Sequence, residues 1–398
     1  MSDAQDCSPW CVLLLLVLPA MPLLPMSIMG GTWWSRKYGY LDVKQCASDK
    51  LDVYVGNSTH PLGPIMINHK DRVIKFRIAN IVVYLHQTLS TPVRLVWTDN
   101  SDVAVDYWDR KLLQEINEAA GWILNQQIDG LSSEVQLGLD RMASGEVTAS
   151  AQTVALCMAS KNRLWQLERA LPLNLLHAWP HRNWVTIHLV VCDDNVTLHW
   201  VMQTCWPAIS IGLLRLYTTC GDMPYWHASI GKNTSHMVAS EDILVNVDGD
   251  NLIGVNFPEH VVQMFASGHK VVQYEYGEGT CGRIAYLRDD FLQIRGYDEN
   301  AFPMGAQDTD IVLRIKKLYQ GQQLAYKKAK LPQFSQAIPN DKKAKVRNCD
   351  PVYNKMTWGQ MDVKNRATFK SRLDNGLIQR NQSKEHIGVF AKHVDVDL

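Results

Sequence analysis

The chain has 398 residues, 46% hydrophobic and 20% charged, which is enough apolar material for one large domain with an additional module. Forty Lys and Arg balance forty Asp and Glu, so no global field exists to recruit nucleic acid or an anionic surface, and a nucleic-acid function is argued against. Nine cysteines without any CxxC pair argue equally against a zinc ribbon or a dithiol redox motif.

Residues 1–31 contain the apolar stretch CVLLLLVLPAMPLLPMSIM, Cys11 to Met29, close to the ~20 residues that cross a bilayer. It reads as a signal anchor or signal peptide, a membrane attachment through the N-terminus. Pro19, Pro22 and Pro25 interrupt it. Asp3 and Asp6 precede it and Arg36 and Lys37 follow it, so the positive-inside tendency leaves its orientation open. Four Asn-x-Ser/Thr sequons, at Asn57, Asn195, Asn233 and Asn381, suit a secretory protein.

Residues 32–150 form an N-terminal α+β module or stem of unassigned role. Short strands are expected from Tyr38 to Ser101, clearest in VIKFRI and IVVYL between Val73 and Leu85 and in RLVWT from Arg94 to Thr98. A helix follows over Asp106 to Gln127, with Leu112, Ile116, Ala120, Ile123 and Leu124 at helical spacing. The polar, glycine-bearing segment from Ile128 to Ser150 reads as the boundary.

Beyond it strands and helices alternate, the signature of an α/β sheet with ligands at the carboxyl ends of its strands. Strands are predicted at Thr153 to Met158, Val185 to Cys192, Ile211 to Tyr217, Lys270 to Tyr276 and Arg283 to Leu287. Helices are predicted at Asn162 to Leu171, ended by Pro172, and at Thr197 to Cys205, Ser229 to Ala239, Phe257 to Ala266, Asp289 to Arg295 and Thr309 to Tyr319. Cys157 and Cys192 fall in apolar strands and read as small core residues. The second strand runs into Asp193 and Asp194.

The stretch DILVNVDGDN, Asp242 to Asn251, is an apolar strand that ends in Asp248-Gly249-Asp250. Carboxylates at alternate positions around a glycine can approach one hard cation, Mg²⁺ or Mn²⁺, which in turn holds a diphosphate. Asp308/Asp310 and Asp395/Asp397 repeat the bare pattern, so the preceding strand is what distinguishes this one. Acids at Asp193/Asp194, at Asp248/Asp250 and at the helix start Asp308 are expected to share one sheet edge.

CMASKNRLWQLERALP (Cys157 to Pro172), WHASIGKNTSHMVASEDILVNVDGDN (Trp226 to Asn251) and CGRIAYLRDDFLQIRGYDENAFPMGAQDTDIVLRI (Cys281 to Ile315) resemble, in order and spacing, the nucleotide-sugar glycosyltransferases of the GT-A fold. The similarity is to the β-1,4-galactosyltransferases and to the C-terminal catalytic region of the polypeptide N-acetylgalactosaminyltransferases, over less than half of the chain. It implies a Rossmann-like mixed α/β sheet flanked by helices, with a catalytic domain over 151–345 and a C-terminal extension over 346–398. It implies a transferase that uses Mn²⁺ or Mg²⁺, takes a UDP-sugar and acts on a glycan, protein or lipid acceptor. A lumenal catalytic domain at a Golgi or ER membrane is the matching location.

By the same resemblance Lys161, Arg163, Asp193, Asp194, Lys232, Asn233 and Asp248 hold the donor nucleotide, Asp250 with Asp248 binds the metal, and Asp308 takes the proton of the acceptor hydroxyl. The sequence departs from the pattern in two places. Where relatives carry Trp-Gly-Gly-Glu-Asp this chain has Met304-Gly305-Ala306-Gln307-Asp308, and counting back from Asp341-Lys342-Lys343 places Ile338 where many relatives have a metal-binding histidine. A non-catalytic nucleotide-sugar or glycan-binding protein and a nucleotidyltransferase are the competing expectations; the second lacks its usual glycine-rich phosphate loop after Cys157.

Overall fold

The computed structural model describes residues 146–275, 279–320, 322, 325–334, 336–339, 342–353, 355–383 and 387–394, with strands between 31 and 105 and scattered helical positions from 112 to 141. Two compact units make up the chain, and the division is not a single cut. Leu139–Glu146 belongs with the first 117 residues, while Glu118–Gly138 joins Val147–Asp397.

Among the described residues the first unit holds two antiparallel four-stranded sheets. One is Gly31–Ser35, Gly39–Ala47, Lys50–Val55 and Ile65–Met66. The other, Val73–Ile78, Ile81–Gln87, Leu95–Thr98 and Ala104–Val105, falls on the β-branched and aromatic runs of the sequence. Of the expected helix over Asp106 to Gln127, Leu112, Glu115, Ile116, Glu118 and Ala119 are described, all helical.

Among the described residues the second unit contains ten strands: β1 Val154–Ser160, β2 Val185–Val191, β3 Leu214–Thr218, β4 Ile243–Asn246, β5 Asn251–Leu252, β6 Val271–Tyr274, β7 Arg283–Leu287, β8 Tyr326–Ala329, β9 Gln336–Ala337 and β10 Lys392–His393. Its helices are α1 Leu164–Ala178, α2 Asn195–Thr204, α3 Trp206–Ser210, α4 Ala228–Met237, α5 Phe257–Ala266, α6 Arg288–Gln293, α7 Gln307–Leu318, α8 Lys342–Arg347 and α9 Trp358–Asp374. Eight strands form one sheet in the order β8-β6-β7-β4-β1-β2-β3-β10, and β5 pairs separately with β9. β4, β1, β2 and β3 are parallel, whereas β7 and β10 run antiparallel to their neighbours. This is the mixed α/β sheet flanked by helices that the sequence predicts.

The parallel strands read as unbroken apolar runs because both faces are covered. Leu156, Cys157, Ile187, Leu189, Leu244 and Val245 are all buried. Ala155, Leu244, Ile284 and Tyr286 pack with Phe291, Ile311 and Ile315 into one core beneath α6 and α7. Registers place Ser160 beside Val191 and Asn246 beside Cys157, so the residues leaving β1, β2 and β4 emerge along one edge.

Pro172 does not end its helix. α1 continues to Ala178 with the proline inside, although an interior proline forfeits a backbone bond and costs about 3 kcal/mol in an exposed helix. From Ala170 to Ala178 every residue is buried, and that burial outweighs the lost bond. The strand expected from Ile211 begins only at Leu214, because a helical turn, α3, and Gly212 at φ 75° occupy the residues before it.

Among the described residues no helix is long and apolar enough to cross a membrane; the segment from Cys11 to Met29 lies outside them. Cys157, Cys192, Cys205, Cys220, Cys281 and Cys349 are free thiols.

Candidate functional site

Three tight turns build the edge of the sheet. Asn162 after β1, Asp193 after β2 and Ala306 before α7 all have positive φ, at 52°, 46° and 66°. A non-glycine residue held there stores about 1–2 kcal/mol of strain, and such positions cluster where a side chain must be aimed. The Gly305-Ala306 turn is fixed by packing: a Cβ on Gly305 would fall 2.6 Å from the Asp362 backbone of α9. Asn365 of the same helix donates from Nδ2 to the carbonyls of Phe302, Met304 and Gly305, and its Oδ1 accepts from the Phe302 N–H. The loop that delivers Asp308 to the start of α7 is thereby clamped.

Asp248, Asp308 and Lys232 meet. Lys232 Nζ donates to Asp308 Oδ1 at 2.6 Å and lies 3.1 Å from Asp248 Oδ1. Burial alone would lower the Lys232 pKa, but the two carboxylates outweigh it and hold the ammonium well above its ordinary range. Gly282, just before β7, makes the approach possible, since a Cβ there would lie 2.6 Å from Asp248 Oδ2 and 3.2 Å from Asp308 Oδ2. The Lys232 carbonyl accepts from His236 Nδ1 at 2.6 Å, and Tyr286 Oη bonds His236 Nε2 at 2.8 Å. Burial pushes His236 down to about 3, so the ring stays neutral and braces α4 under the lysine.

Asp250 meets a different cation. Its Oδ2 is 3.3 Å from Arg163 Nη2, and its Oδ1 accepts from Asn251 Nδ2 at 2.8 Å. The Asp250 carbonyl accepts from the Ile338 N–H at 2.7 Å. Position 338, found by counting, therefore does lie against the acidic turn in space. Its side chain is aliphatic and buried.

The remaining expected residues divide between edge and scaffold. Lys161, buried, donates from Nζ to the Cys192 carbonyl at 3.0 Å. Asp193 accepts from the N–H groups of Gly221 and Met223 at 2.6 and 2.8 Å. Burial would raise its pKa, but these bonds and one from Thr219 lower it. It borders a cavity of about 440 Å³ lined also by Asn195, Leu198, Thr218 and Cys220. Asp194 caps α2 through the Thr197 N–H and accepts from the Asn162 N–H, so it ties β1 to β2. Asn233 does not join the acid cluster. Its Nδ2 donates to the Tyr297 carbonyl and to Glu299, and its Oδ1 accepts from the Tyr297 N–H.

Asp310 is equally withdrawn, held in a buried network with Arg314 at 2.7 Å and Arg380 at 2.8 Å. Sequence reasoning missed Arg283 and Asn365. Arg283 is fully buried, donates from Nη2 to the Gln336 carbonyl at 2.9 Å and contacts the Phe334 carbonyl, and burial pushes its pKa down to about 10 while Asp248 and Asp250 oppose that shift. A charged residue opening an otherwise apolar strand, RIAYL, was the one available signal.

Among the described residues the acids of the edge do not assemble a divalent-ion site by themselves, and no group of three or more His, Cys, Asp or Glu there is placed to share one cation. Both oxygens of Asp250 have partners within the chain, while Asp248 Oδ1 is bound by Lys232 and by Asn246 Nδ2 at 3.1 Å and its Oδ2 faces Gly282.

No family model matches the chain, and no curated protein matches it. Among solved structures it is similar to a mannosyltransferase from Pyrobaculum calidifontis in complex with GDP-Man and Mn²⁺, at 14% identity over 67% of this chain and 79% of that one, with a TM-score of 0.42. It is also similar to residues 1–349 of TarS from S. aureus in complex with UDP-GlcNAc, at 11% identity over 59% and 74%, TM-score 0.36. A third is glucosyl-3-phosphoglycerate synthase from Mycobacterium tuberculosis in complex with Mg²⁺ and UDP, at 14% identity over 56% and 79%, TM-score 0.35.

Proposed function

We propose that the protein is a glycosyltransferase that moves a sugar from a nucleoside-diphosphate sugar, a UDP-sugar by the sequence resemblance, to a hydroxyl of a glycan, protein or lipid acceptor. The observation that carries this reading is the Lys232 bridge, which joins the acid that ends β4 to the acid that begins α7 at one sheet edge. Such an edge, at the carboxyl ends of parallel strands, is where α/β sheets bind nucleotides. The cavity beside Asp193 supports a place for the base, and Lys161 stiffens the strand end that borders it.

The transfer balances as a single displacement with inversion. A lone pair of the acceptor oxygen bonds to the anomeric carbon, and the bond from that carbon to the diphosphate oxygen breaks with its electron pair leaving on the nucleoside diphosphate. The hydroxyl proton passes to the Asp308 carboxylate as general base. A base at Asp308 suits inversion. No step here is routed through the Mn²⁺ or Mg²⁺ implied by the resemblance.

A panel of UDP-sugars and GDP-sugars tests the reading, with nucleotide release followed for the wild type and Asp308→Asn. Release that the variant abolishes supports it. Failure of the folded protein to bind any nucleoside diphosphate, together with no turnover, sinks it. Gln307 favours the rival reading of a binding protein without turnover: it replaces the carboxylate of the resembled pattern with an amide, whose Nε2 donates to the Phe302 carbonyl at 3.0 Å. Tight nucleotide binding without release, unaffected by Asp308→Asn, would establish that rival.

Location at an ER or Golgi membrane, with the stretch from Cys11 to Met29 as anchor, is part of the proposal. Release of the full-length protein from membranes by alkaline carbonate would remove it.

A further inference from the structure

We infer that the donor diphosphate is held and neutralised by Lys232 and Arg163, two side-chain cations that stand where a divalent metal would, so that nucleotide binding and transfer need no metal ion. The inference rests on the glycosyltransferase reading above.

Charge balance is the first argument. The acids against one another at the ends of β4 and α7 are Asp248, Asp250 and Asp308, and the cations against or just beneath them are Lys232, Arg163 and Arg283. Three carboxylates facing that many built-in cations leave no net negative field for a resident divalent ion to neutralise, and a hard dication is drawn to sites with such a field. Two of these cations reach solvent. Lys232 is 8% exposed at its side chain and Arg163 14%, whereas Arg283 is fully buried.

Ligand chemistry is the second. Ile338 donates its N–H to the Asp250 carbonyl, and its buried aliphatic side chain has no atom that can ligate a metal. The Gly282 backbone approaches Asp248 Oδ2 so closely that a methyl group could not enter. Turning Asp248 toward an ion would therefore break its bonds to Asn246 and Lys232 on the other oxygen.

The diphosphate offers both cations a stronger anion. Arg163 presents a planar fork suited to two phosphate oxygens, and Lys232 a compact point charge. When Lys232 turns to the diphosphate it leaves Asp308 Oδ1, and the carboxylate becomes available to the acceptor hydroxyl.

The test is UDP and GDP binding to the purified full-length protein by calorimetry, in EDTA and in Mn²⁺, with uridine and guanosine as controls. The nucleoside diphosphate that binds is expected to do so in EDTA with an affinity within about threefold of that in Mn²⁺. Arg163→Gln and Lys232→Gln should each weaken it by about 10- to 100-fold without changing nucleoside binding, and Lys232→Arg should restore part of the loss. Asp250→Asn is expected to tighten binding by about threefold or more in EDTA, because it removes the carboxylate that competes for Arg163.

Binding that appears only with Mn²⁺ and is lost in Asp250→Asn overturns the inference while leaving the glycosyltransferase reading intact. Absence of nucleotide binding in both conditions, with a cooperative melt showing folded protein, removes that reading and this inference with it. Arg163→Gln guards against a misfolded Lys232→Gln, because Arg163 lies outside the core at the start of α1.

Discussion

Asn365→Ala perturbs the loop that carries Asp308 without touching the site. Asn365 is 1% exposed, and its side chain meets four backbone groups at 2.8 to 3.0 Å. An amide nitrogen has only two protons, so the three carbonyls share two donor bonds, and the Oδ1 contact makes a third full bond. At about 1 kcal/mol net for each, with an added penalty for carbonyls left buried without donors, the loss comes to about 3 kcal/mol. Urea unfolding followed by circular dichroism should show a lower midpoint with an unchanged slope. Nucleotide release should fall further than the unfolded fraction explains, because the Gly305-Ala306 turn that aims Asp308 loses its clamp. A loss below about 1 kcal/mol with normal turnover would refute the reasoning, since the loop would then be held by packing alone.

Other outcomes follow from the same contacts. Glu241 accepts from His188 Nε2 at 3.0 and 3.1 Å; burial would raise its pKa, but that partner and backbone donors bring it from 4.5 down to about 2. A depressed folded pKa gives stability that is present above the unfolded value and lost as pH falls, so Glu241→Gln should cost about 3 kcal/mol at neutral pH and progressively less between about pH 4.5 and 2. A pH-independent difference between the variant and wild-type urea curves would contradict that. Asp310→Asn strips the buried Arg314 and Arg380 of a carboxylate and should cost about 3–5 kcal/mol. Asp308→Asn, by contrast, should abolish transfer while leaving most of the stability; thermal melts of the two variants side by side check the contrast. Gly282→Ala must displace Asp248 by several tenths of an ångström, and nucleoside-diphosphate affinity should fall by about tenfold; unchanged affinity would mean that Asp248 can move aside freely.

Much of the second unit was legible in the chain. The strands over Val154–Ser160, Val185–Val191 and Ile243–Asn246 announce themselves as short apolar runs, and each ends where polar residues begin. Helix limits moved by a residue or two, as capping and local turns dictate. The larger departure was Pro172. Local chemistry says that a proline stops a helix, and the burial that overrides it is a property of the whole unit.

The sequence by itself determined which segments alternate as strand and helix, which faces are apolar, and that acids stand at the ends of several strands. These follow from periodicity and side-chain chemistry, which are local. The tertiary structure alone decided partnership. It inserted β7 antiparallel between β4 and β6, brought Lys232 from α4 between Asp248 and Asp308, withdrew Asp310 and Asn233 into the scaffold, and laid Asn365 under the Gly305 turn. Each of these joins residues far apart in the chain, and the charge they balance is set by distance in space. Whether the acidic turn after β4 holds a metal or a pair of side-chain cations was therefore beyond the reach of the motif alone.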